Sequence, residues 1–568
     1  MKKLLDEKLS SVVLGFGYRE EKDEIYCDFA SKTTPNKQIL EELEKEYQKL
    51  LGNIDKISIK EDIGDYISKI PEELRPESEH FKDYVLLSGQ INGEPIEVPI
   101  AKELLDKVKK DQVIYFVRTS SSHIGNKVYL RVYFKLFDSE EELQKYIEHE
   151  KELQKSDHRY IGEKLDLFSF NEDLIGSGLP LFHPKGTILR NKIIDLIRVL
   201  NDYLGFQEVT TPHLYKIDIM KVSGHYDKYR EDMFVFEANG QEYAIKPMNC
   251  PAHICIVKSR PRTYKEYPIK FSEFATVYRK EKSGELKGLL RVIFITQDDH
   301  HIFAREQDLK PEIQKVISGI LSLYEVLGFK EFNVCLSTKP EKYIGSDEIW
   351  DLAESRLKEI LEDLGIDYEI KEGEGAFYGP KIDFDVRDAQ GRWWQLGTIQ
   401  LDFFMPMRFD IRYKDQDEQE KRPIMIHIAC VGSIERFMGV FLEHTRGNLP
   451  FYFAPVQIAI IPVSEKFLDH AKELYKKLKK NGFRTVLMSE ERSVAYRIRR
   501  AEDEKIPVMI VIGQREAESK VYPIRLKGRG QKELPEDQLI NFLKGLNEEI
   551  KNNLLSKLRE RIGEEQEL

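Results

Sequence analysis

Apolar positions change their spacing along this 568-residue chain, and each change marks a new segment. After about residue 157, helix-period stretches alternate with long strand-like stretches; one apolar series passes through Ile193, Ile197 and Leu204 and ends at Gly205. Residues 269–281 and 289–296 are predicted to form the two strands of a long antiparallel hairpin, joined by a loop that contains glycine. The pattern predicts a large α+β domain over residues 157–453.

Three further segments differ in pattern. Residues 1–156 alternate short strand-like runs with charged helices, for example over 38–51, which predicts a small N-terminal α+β domain. From residue 454 the order is strand, helix, strand, helix, strand, and this alternation predicts a compact α/β domain over 454–550 with mostly parallel pairing. Residues 551–568 are predicted to form a charged helical tail.

Composition and charge narrow the class of protein. With 41% hydrophobic and 33% charged residues, the chain has the makeup of globular domains. Its longest apolar runs have strand length and its start lacks a secretory signal, so we expect a cytoplasmic protein without a membrane span. Five scattered cysteines indicate reduced thiols. A net charge of -11 argues against a generic nucleic-acid coat but leaves room for local basic faces that bind RNA.

Two patterns in the central segment indicate nucleotide binding. Arg279 and Glu281 end the first hairpin strand, and Arg291 follows the loop; Arg279 could hold a phosphate, and Glu281 could accept a hydrogen bond from an exocyclic amine. The alternative is a cross-strand ion pair on an exposed sheet face. Arg436 follows Ser433, a candidate helix cap, and a cation at a helix N-terminus opposes the local dipole unless an anion lies nearby.

A third pattern is a candidate metal set. Cys250, His301 and His427 offer a thiolate and two imidazoles, which are suitable zinc ligands, and three ligands leave one coordination position open. Their spacing along the sequence is too wide to be diagnostic. A buried free cysteine and ordinary core histidines remain the alternative.

Seven motifs link these patterns into one order. They are Ser223-Gly-His-Tyr-Asp-Lys-Tyr229, Ile245-Lys-Pro-Met-Asn-Cys-Pro251, Tyr278-Arg-Lys-Glu281, Thr296-Gln-Asp-Asp299, Phe377-Tyr-Gly-Pro-Lys381, Gly397-Thr-Ile-Gln-Leu-Asp-Phe403 and Gly432-Ser-Ile-Glu-Arg-Phe437. Together they resemble the motifs of the threonyl-tRNA synthetases, from about His158 to the end of the C-terminal α/β domain. The resemblance implies an α+β class II synthetase core, an antiparallel sheet flanked by helices that forms a homodimer through a first motif ending near Pro212. It also implies that L-threonine is activated with ATP to threonyl-adenylate and transferred to the terminal adenosine of tRNA(Thr).

The resemblance assigns roles to individual residues. Arg279 would bind the α-phosphate of ATP, Arg436 the γ-phosphate and Glu281 the adenine amino group, with Mg²⁺ on the ATP, so that fixed cations stabilise the charge that develops during in-line attack. The other matching positions are Arg291, Gln395 and Lys381 for ATP and catalysis, Met248, Gln297, Asp299, Tyr378 and Gln400 for the amino acid, and Cys250, His301 and His427 for one Zn²⁺.

By the same resemblance, the zinc reads the substrate. The amino and hydroxyl groups of threonine would both coordinate the metal, and Asp299 would accept from the amino group. Valine lacks the hydroxyl, and discrimination of that kind reaches ~10⁴ to 10⁵ without editing, whereas serine coordinates as threonine does. His225 matches a histidine that helps to activate the ribose hydroxyl during transfer, a role that suits an imidazole near neutral pH.

One position in the hairpin departs from the family. Ile295 stands where relatives usually place an aromatic residue that stacks on adenine, and Phe294, one residue away on a strand, faces the opposite side. Either Ile295 provides an aliphatic platform or a bulge shifts the register.

The C-terminal domain resembles the anticodon-binding domain of the family. Arg499, Glu516 and Arg525 fall at positions expected to read bases. The alternative for Arg499 is that it shares one basic helix face with Arg497 and Arg500.

The N-terminal domain is expected to lack editing chemistry. Bacterial relatives carry an N-terminal editing domain with an HxxxH pair and a CxxxH pair, and His80, His123, His149 and His158 form neither pair. We therefore expect a degenerate domain without editing, with serine errors tolerated or corrected by a separate trans-editing protein. The alternative for the whole chain is a synthetase-like RNA-binding regulator that has lost catalysis.

Overall fold

The chain divides into two compact units, residues 1–154 and 155–568. This computed structural model describes residues 12–19, 24–31, 54–60, 70, 84–91, 94–101, 113–124 and 127–563. The helix predicted over 38–51 and the last five residues of the predicted tail lie outside these ranges. Among the described residues, no helix is long and apolar enough to cross a membrane.

The first unit contains a seven-stranded sheet. All of its neighbouring strands are antiparallel except one pair, Val12–Arg19 and Glu94–Ala101. The strands follow one another across the sheet in the order Ile54–Lys60, Tyr84–Ile91, Glu94–Ala101, Val12–Arg19, Glu24–Ser31, Lys127–Phe137 and Val113–Ile124. Helix Glu140–Ser156 follows the last of these strands in sequence.

The second unit is built on an eight-stranded sheet. Its strands lie in the order Gln207–Glu208, Ile269–Tyr278, Phe294–Ala304, Ile424–Ser433, Trp393–Asp402, Lys381–Arg387, Phe332–Ser337 and Glu369–Lys371. The six central strands are antiparallel, and only the short edge strands pair in parallel. The predicted antiparallel core is confirmed.

Helices cover this sheet. Helix Pro184–Leu204 has proline at its first position and ends at Gly205, whose φ of 76° is the left-handed cap that glycine adopts at low cost. Its buried stripe, which includes Ile193, Ile197 and Leu200, packs into the same core as helix Glu306–Val326. The other helices before the C-terminal domain are His158–Lys164, Ile217–Ser223, His225–Tyr229, Cys250–Lys258, Asp347–Asp363, Phe404–Arg408 and Ile434–Thr445.

Smaller elements complete the second unit. A three-stranded sheet combines Leu214–Lys216, Gln241–Ile245 and Val235–Ala238. Two-stranded ribbons join Phe168–Phe170 with Pro180–Phe182 and Tyr413–Lys414 with Glu420–Lys421. Single 3₁₀ turns occupy Arg230–Asp232, Tyr264–Glu266, Ser283–Glu285 and Glu465–Phe467.

The C-terminal part forms its own five-stranded sheet and core. Its strand order is Thr485–Leu487, Ile458–Pro462, Val508–Ile512, Val521–Leu526 and Gly530–Pro535, and the first three strands are parallel as predicted. The last two strands form an antiparallel ribbon that the sequence analysis did not predict. Its helices are Leu468–Lys480, Val494–Asp503, Gln514–Ser519 and Glu536–Ile562.

Three predicted boundaries are wrong. The first hairpin strand ends at Tyr278 instead of residue 281, so Arg279 and Glu281 follow the strand. The returning hairpin strand begins at Phe294 instead of residue 289, because residues 283–291 form a turn and a local bridge between Lys287 and Arg291. The predicted tail is not a separate element: helix Glu536–Ile562 runs through it without a break. Apolar residues at helical spacing continue past residue 550, and they bury one stripe of the helix.

Candidate active site

One cavity of about 620 Å³ collects most of the predicted site residues of the second unit. Antiparallel pairing places the strand Phe294–Ala304 between Ile269–Tyr278 and Ile424–Ser433, so that alternate side chains of these strands share one face. The predicted residues that line the cavity are His225, Met248, Cys250, Arg279, Glu281, Arg291, Gln297, Asp299, His301, Tyr378, Gln400 and His427.

The candidate metal ligands converge in this cavity. One ligand atom each from Cys250, His301 and His427 lies within 4.8 Å of the other two. Residues His301 and His427 are direct partners across neighbouring strands, and their Nε2 and Nδ1 atoms are 3.0 Å apart. Cys250 begins the helix Cys250–Lys258 and is buried. Strand pairing therefore brings together residues whose spacing in the sequence was too wide to be diagnostic.

The surroundings of these side chains fit a bound metal. Nε2 of His427 lies 2.9 Å from the buried carboxylate of Asp402, which fixes a proton on that nitrogen and leaves Nδ1 with a lone pair. Nδ1 of His301 faces another side chain, His253, so its Nε2 also points into the cluster. Two lone pairs at 3.0 Å repel one another unless a cation or a proton lies between them. The thiol, the two imidazoles and the open cavity match the ligands of a three-protein-ligand zinc site.

The neighbouring buried polar residues were missed by the sequence analysis. Asn249 donates to Asp299 at 2.9 Å, and His253 lies 3.1 Å from Glu273. Buried polar groups need partners, and these partners come from distant parts of the chain. His253, three residues after Cys250 on the same helix, was the one signal available in the sequence.

The predicted nucleotide contacts lie at another part of the cavity. Nε of Arg279 donates to the carbonyl oxygen of Pro247 at 3.1 Å, which holds the guanidinium at the cavity wall. Glu281 accepts from Arg291 at 2.8 Å, and Arg291 also contacts Glu285 at 2.6 Å. An ion pair, the alternative to nucleotide binding, is thus present between Glu281 and Arg291. Both residues line the cavity, so the pair does not lie on an exposed sheet face.

Arg436 does not line this cavity. The predicted helix cap at Ser433, just before it, is confirmed. Ser433 Oγ accepts from the backbone N–H of Arg436 at 3.0 Å at the start of helix Ile434–Thr445. The Nε of Arg436 is buried without a hydrogen-bond partner in the described part of the chain, and burial lowers the pKa of Arg436. A half-buried guanidinium with a buried, unsatisfied nitrogen favours an anionic ligand.

Lys381 and Gln395 also lie outside the lining of the cavity. Both side chains contact Asp383, a buried residue that the sequence analysis did not select, at 2.5 and 2.7 Å. Tyr378, in contrast, lines the cavity and donates to Gln400.

His225 lies at the cavity wall but is almost wholly buried. Its Nδ1 is 2.8 Å from Ser223 Oγ, and its ring meets Phe377 edge-on at 5.6 Å. Burial, helped by the neighbouring side chains of His427, Arg279 and Arg408, lowers the pKa of His225 to about 3. The ring is therefore neutral at neutral pH, and the predicted role in transfer stays a prediction.

The register of the hairpin decides the position of Ile295. Pairing runs without a shift from Ile269 opposite Phe303 to Tyr278 opposite Phe294, so the alternative of a bulge is wrong for this strand pair. Ile295 shares its face with Gln297 and therefore points to the cavity side, while Phe294 meets Tyr278 edge-on at 5.9 Å.

The predicted anticodon residues occupy separate elements of the C-terminal sheet domain. Arg499 is exposed on helix Val494–Asp503, and the exposed Arg525 on strand Val521–Leu526 lies 3.5 Å from Glu502. Glu516 is half-buried and accepts from the backbone N–H of Gly513 at 2.8 Å.

The alternative of one basic helix face is wrong. Arg497 is buried and donates to the carbonyl oxygen of Met488 at 3.0 Å. Arg500 is paired with Glu490 and Glu504. Three arginines that are close in sequence therefore have three different environments.

Comparison with known proteins identifies the chain. Residues 229–445 match the tRNA synthetase class II core domain (G, H, P, S and T), and residues 457–546 match an anticodon binding domain. The chain is a class II aminoacyl-tRNA synthetase. The threonine–tRNA ligase catalytic subunits of Saccharolobus solfataricus and Sulfurisphaera tokodaii are both 47% identical to it, over 405 and 433 residues. These matches cover 71% and 76% of this chain and 74% and 80% of the relatives.

A solved structure agrees with the sequence relatives. The RNA binding domain of threonyl-tRNA synthetase from Cryptosporidium parvum Iowa II is 38% identical, has a TM-score of 0.67, and matches over 69% of this chain and 98% of that chain. The chain belongs to the threonyl-tRNA synthetase family. It activates threonine with ATP and joins it to tRNA, and enzymes of this class use ATP with Mg²⁺. The predicted family, fold class and activity are confirmed.

Proposed function

We propose that the chain forms threonyl-adenylate in the cavity beside Cys250, His301 and His427, and that these three residues hold one Zn²⁺. The observation that carries the proposal is the convergence of a thiol and two imidazoles in the cavity that Arg279 also lines. When bound, zinc would supply coordination positions for the amino and hydroxyl groups of threonine.

The amino-acid end of the cavity fits a small polar substrate. Asp299 lies beside the cluster, with Oδ1 3.6 Å from His301 Nε2, where its carboxylate accepts from a substrate ammonium group. Tyr378 and Gln400 hold each other in place, and together with Met248 and Gln297 they enclose the side chain. A substrate without a hydroxyl leaves polar positions unmet, so valine is rejected.

The phosphate end of the site is proposed to work through fixed cations. Arg279 contacts the α-phosphate and Arg436 the γ-phosphate, so the charge of the pentavalent phosphorus is stabilised without reorganisation of solvent. Glu281 accepts from the adenine amino group once Arg291 turns toward the nucleotide. Lys381 and Gln395 are proposed to serve ATP binding and catalysis, and their shared contact with Asp383 holds both side chains in place.

His225 is proposed to serve the transfer step as a neutral imidazole. A neutral ring can accept a hydrogen bond from the ribose hydroxyl of the terminal adenosine, and its hydrogen bond with Ser223 fixes the orientation of the ring. Arg499, Glu516 and Arg525 are proposed to contact the anticodon of tRNA(Thr).

The proposed assembly and location rest on the likeness to the family. We propose a homodimer formed through helix Pro184–Leu204 and strand Gln207–Glu208, which is an edge strand of the eight-stranded sheet. Because aminoacyl-tRNA supplies translation, we propose a cytoplasmic location.

The N-terminal unit is proposed to lack editing of seryl-tRNA(Thr). Its histidines form no HxxxH or CxxxH pair, and the name catalytic subunit carried by the relatives fits a division of labour with a separate editing protein. Incubation of seryl-tRNA(Thr) with this chain should release no serine above the uncatalysed rate; rapid release would assign editing to the chain itself.

Metal content tests the proposed zinc site. The purified chain should contain about one zinc per chain by elemental mass spectrometry, and Cys250→Ala should remove it, because a zinc site with two protein ligands is weak. Cys255→Ala is the matched control, since Cys255 is an exposed cysteine on the same helix. Equal zinc in wild type and Cys250→Ala would overturn the site.

A further inference from the structure

A chain of buried side chains extends from the proposed zinc site into the core. Nδ1 of His301 lies 2.8 Å from Nδ1 of His253, and Nε2 of His253 lies 3.1 Å from Oε2 of Glu273. All three residues are buried, with exposed fractions of 1%, 0% and 5%. The far nitrogen of each candidate zinc histidine thus leads to a carboxylate, directly to Asp402 for His427 and through His253 for His301.

Glu273 is firmly held at the end of this chain. Its Oε1 accepts from the backbone N–H of Thr211 at 2.6 Å, and its Oε2 accepts from Thr211 Oγ1 at 2.9 Å. The buried ammonium of Lys246 lies 3.6 Å from Oε1. A carboxylate that receives donors on both oxygens and faces a cation is stabilised as the anion.

The Glu273 anion determines the direction of each hydrogen bond between Glu273, His253 and His301. A neutral His253 whose Nε2 faces a carboxylate carries its proton on that nitrogen, because the opposite tautomer would set a lone pair against the anion. Nδ1 of His253 is then an acceptor, so Nδ1 of His301 must donate to it. His301 is left with the lone pair on Nε2, the nitrogen that lies 3.0 Å from His427 Nδ1 in the cluster.

We propose that His253 and Glu273 are positioning residues that fix the tautomer and orientation of His301 for zinc. The proposal rests on the zinc site proposed above. An imidazole that binds a metal through one nitrogen carries its proton on the other, and the group that accepts this proton commonly changes metal affinity by about 10- to 100-fold. Here that group is a second histidine, His253, and the carboxylate of Glu273 acts one step further away. We call the series His301, His253 and Glu273 the relay.

Zinc affinity of variants tests the relay directly. His253→Leu removes the acceptor and should raise the zinc dissociation constant about 10- to 100-fold, measured by competition with a chromogenic chelator. Glu273→Gln should weaken zinc in the same direction, because a neutral amide no longer dictates the tautomer of His253. His253→Asn keeps an acceptor oxygen near the position of Nδ1 and should bind zinc more tightly than His253→Leu.

The control separates this effect from loss of a buried imidazole in general. His158 is equally buried and its Nδ1 lies 2.6 Å from Glu443, but it is outside the cavity lining, so His158→Asn should keep the zinc affinity of wild type. The Tm values of the zinc-free variants should not fall in the same order as their zinc affinities. If His253→Leu does not fold, the comparison of Glu273→Gln with His158→Asn decides.

Each outcome has one meaning. Wild type that binds no zinc, or Cys250→Ala that binds as wild type does, contradicts the zinc site itself. Stoichiometric zinc in wild type with unchanged affinity in His253→Leu and Glu273→Gln contradicts the relay and leaves the zinc site standing. Weak zinc in these two variants, partial recovery in His253→Asn and unchanged His158→Asn establish the relay.

Discussion

Arg291 contacts the carboxylate of Glu281 through both Nε and Nη2, each 2.8 Å from Oε2. Both residues are proposed to contact ATP, so nucleotide binding has to replace this ion pair. Because the side chain of Arg291 is 51% exposed, the pair contributes no more than about 0–1 kcal/mol, and ATP can displace it at low cost.

Glu281 should determine the affinity for ATP. Glu281→Ala removes the acceptor for the adenine amino group, and loss of a hydrogen bond to a charged group costs about 1.5–3 kcal/mol, so the KM for ATP in pyrophosphate exchange should rise about ten-fold or more. Glu285→Ala is the control, since Glu285 binds the same guanidinium from the exposed turn. A KM that rises equally in both variants would assign the effect to Arg291 instead of adenine recognition.

His225 should act in transfer and not in activation. His225→Asn should leave pyrophosphate exchange nearly unchanged and slow the transfer of threonine to tRNA about 10²-fold, the lower range of general-base catalysis. Single-turnover transfer from preformed adenylate measures this step. Because the pKa of His225 is lowered to about 3, wild-type transfer should show no inflection near pH 6.5 from this residue. Equal losses in both steps would place His225 in activation.

The same buried histidine should make the fold sensitive to acid. Its folded pKa of about 3 lies below the ordinary value of 6.5, so the unfolded chain binds one more proton between these values, and stability falls as pH falls from about 6.5 toward 3. The contribution is up to about 1.4 kcal/mol per pH unit. Wild type should therefore lose more stability than His225→Asn between pH 7 and pH 4.5 in urea unfolding; parallel pH profiles would show that His225 is hydrated.

Helix Glu536–Ile562 should tie the anticodon domain to the catalytic core. Leu539 and Leu543 belong to the core of the C-terminal sheet, whereas Leu554 and Leu558 belong to the catalytic core, and all four are 0% exposed. Leu554→Ala should destabilise the chain by roughly 2–5 kcal/mol in urea unfolding.

The neighbouring Ser556 gives the matched control for this helix. It is exposed, so Ser556→Ala should stay within about 0.5 kcal/mol of wild type. Equal stability of Leu554→Ala and Ser556→Ala would mean that this half of the helix is not docked on the catalytic core.

Local sequence patterns predicted much of the fold. The helix that ends at Gly205, the cap at Ser433 and the order of elements from residue 454 to residue 512 depend on neighbours in sequence, and all three were predicted correctly. The continuous helix Glu536–Ile562 was divided by mistake because its charged surface resembles a solvated tail, and only the two cores reveal its buried stripe.

The site was predictable only in part. The resemblance selected Cys250, His301 and His427, but strand pairing, which sequence spacing does not encode, brings them together. The partners of these ligands, His253 and Asp402, stand beside or within the quoted motifs, but their roles depend on contacts between distant segments, which sequence spacing does not show.

Amino-acid-dependent ATP–pyrophosphate exchange is the most direct test of the central claim, which is that a zinc site in this cavity recognises threonine. Threonine, serine and valine should be compared on zinc-loaded and on chelated protein. We predict exchange with threonine, weaker exchange with serine, none with valine, and loss of exchange on chelation that returns with zinc. Undiminished exchange on zinc-free protein, or no exchange with threonine despite bound zinc, would contradict the account.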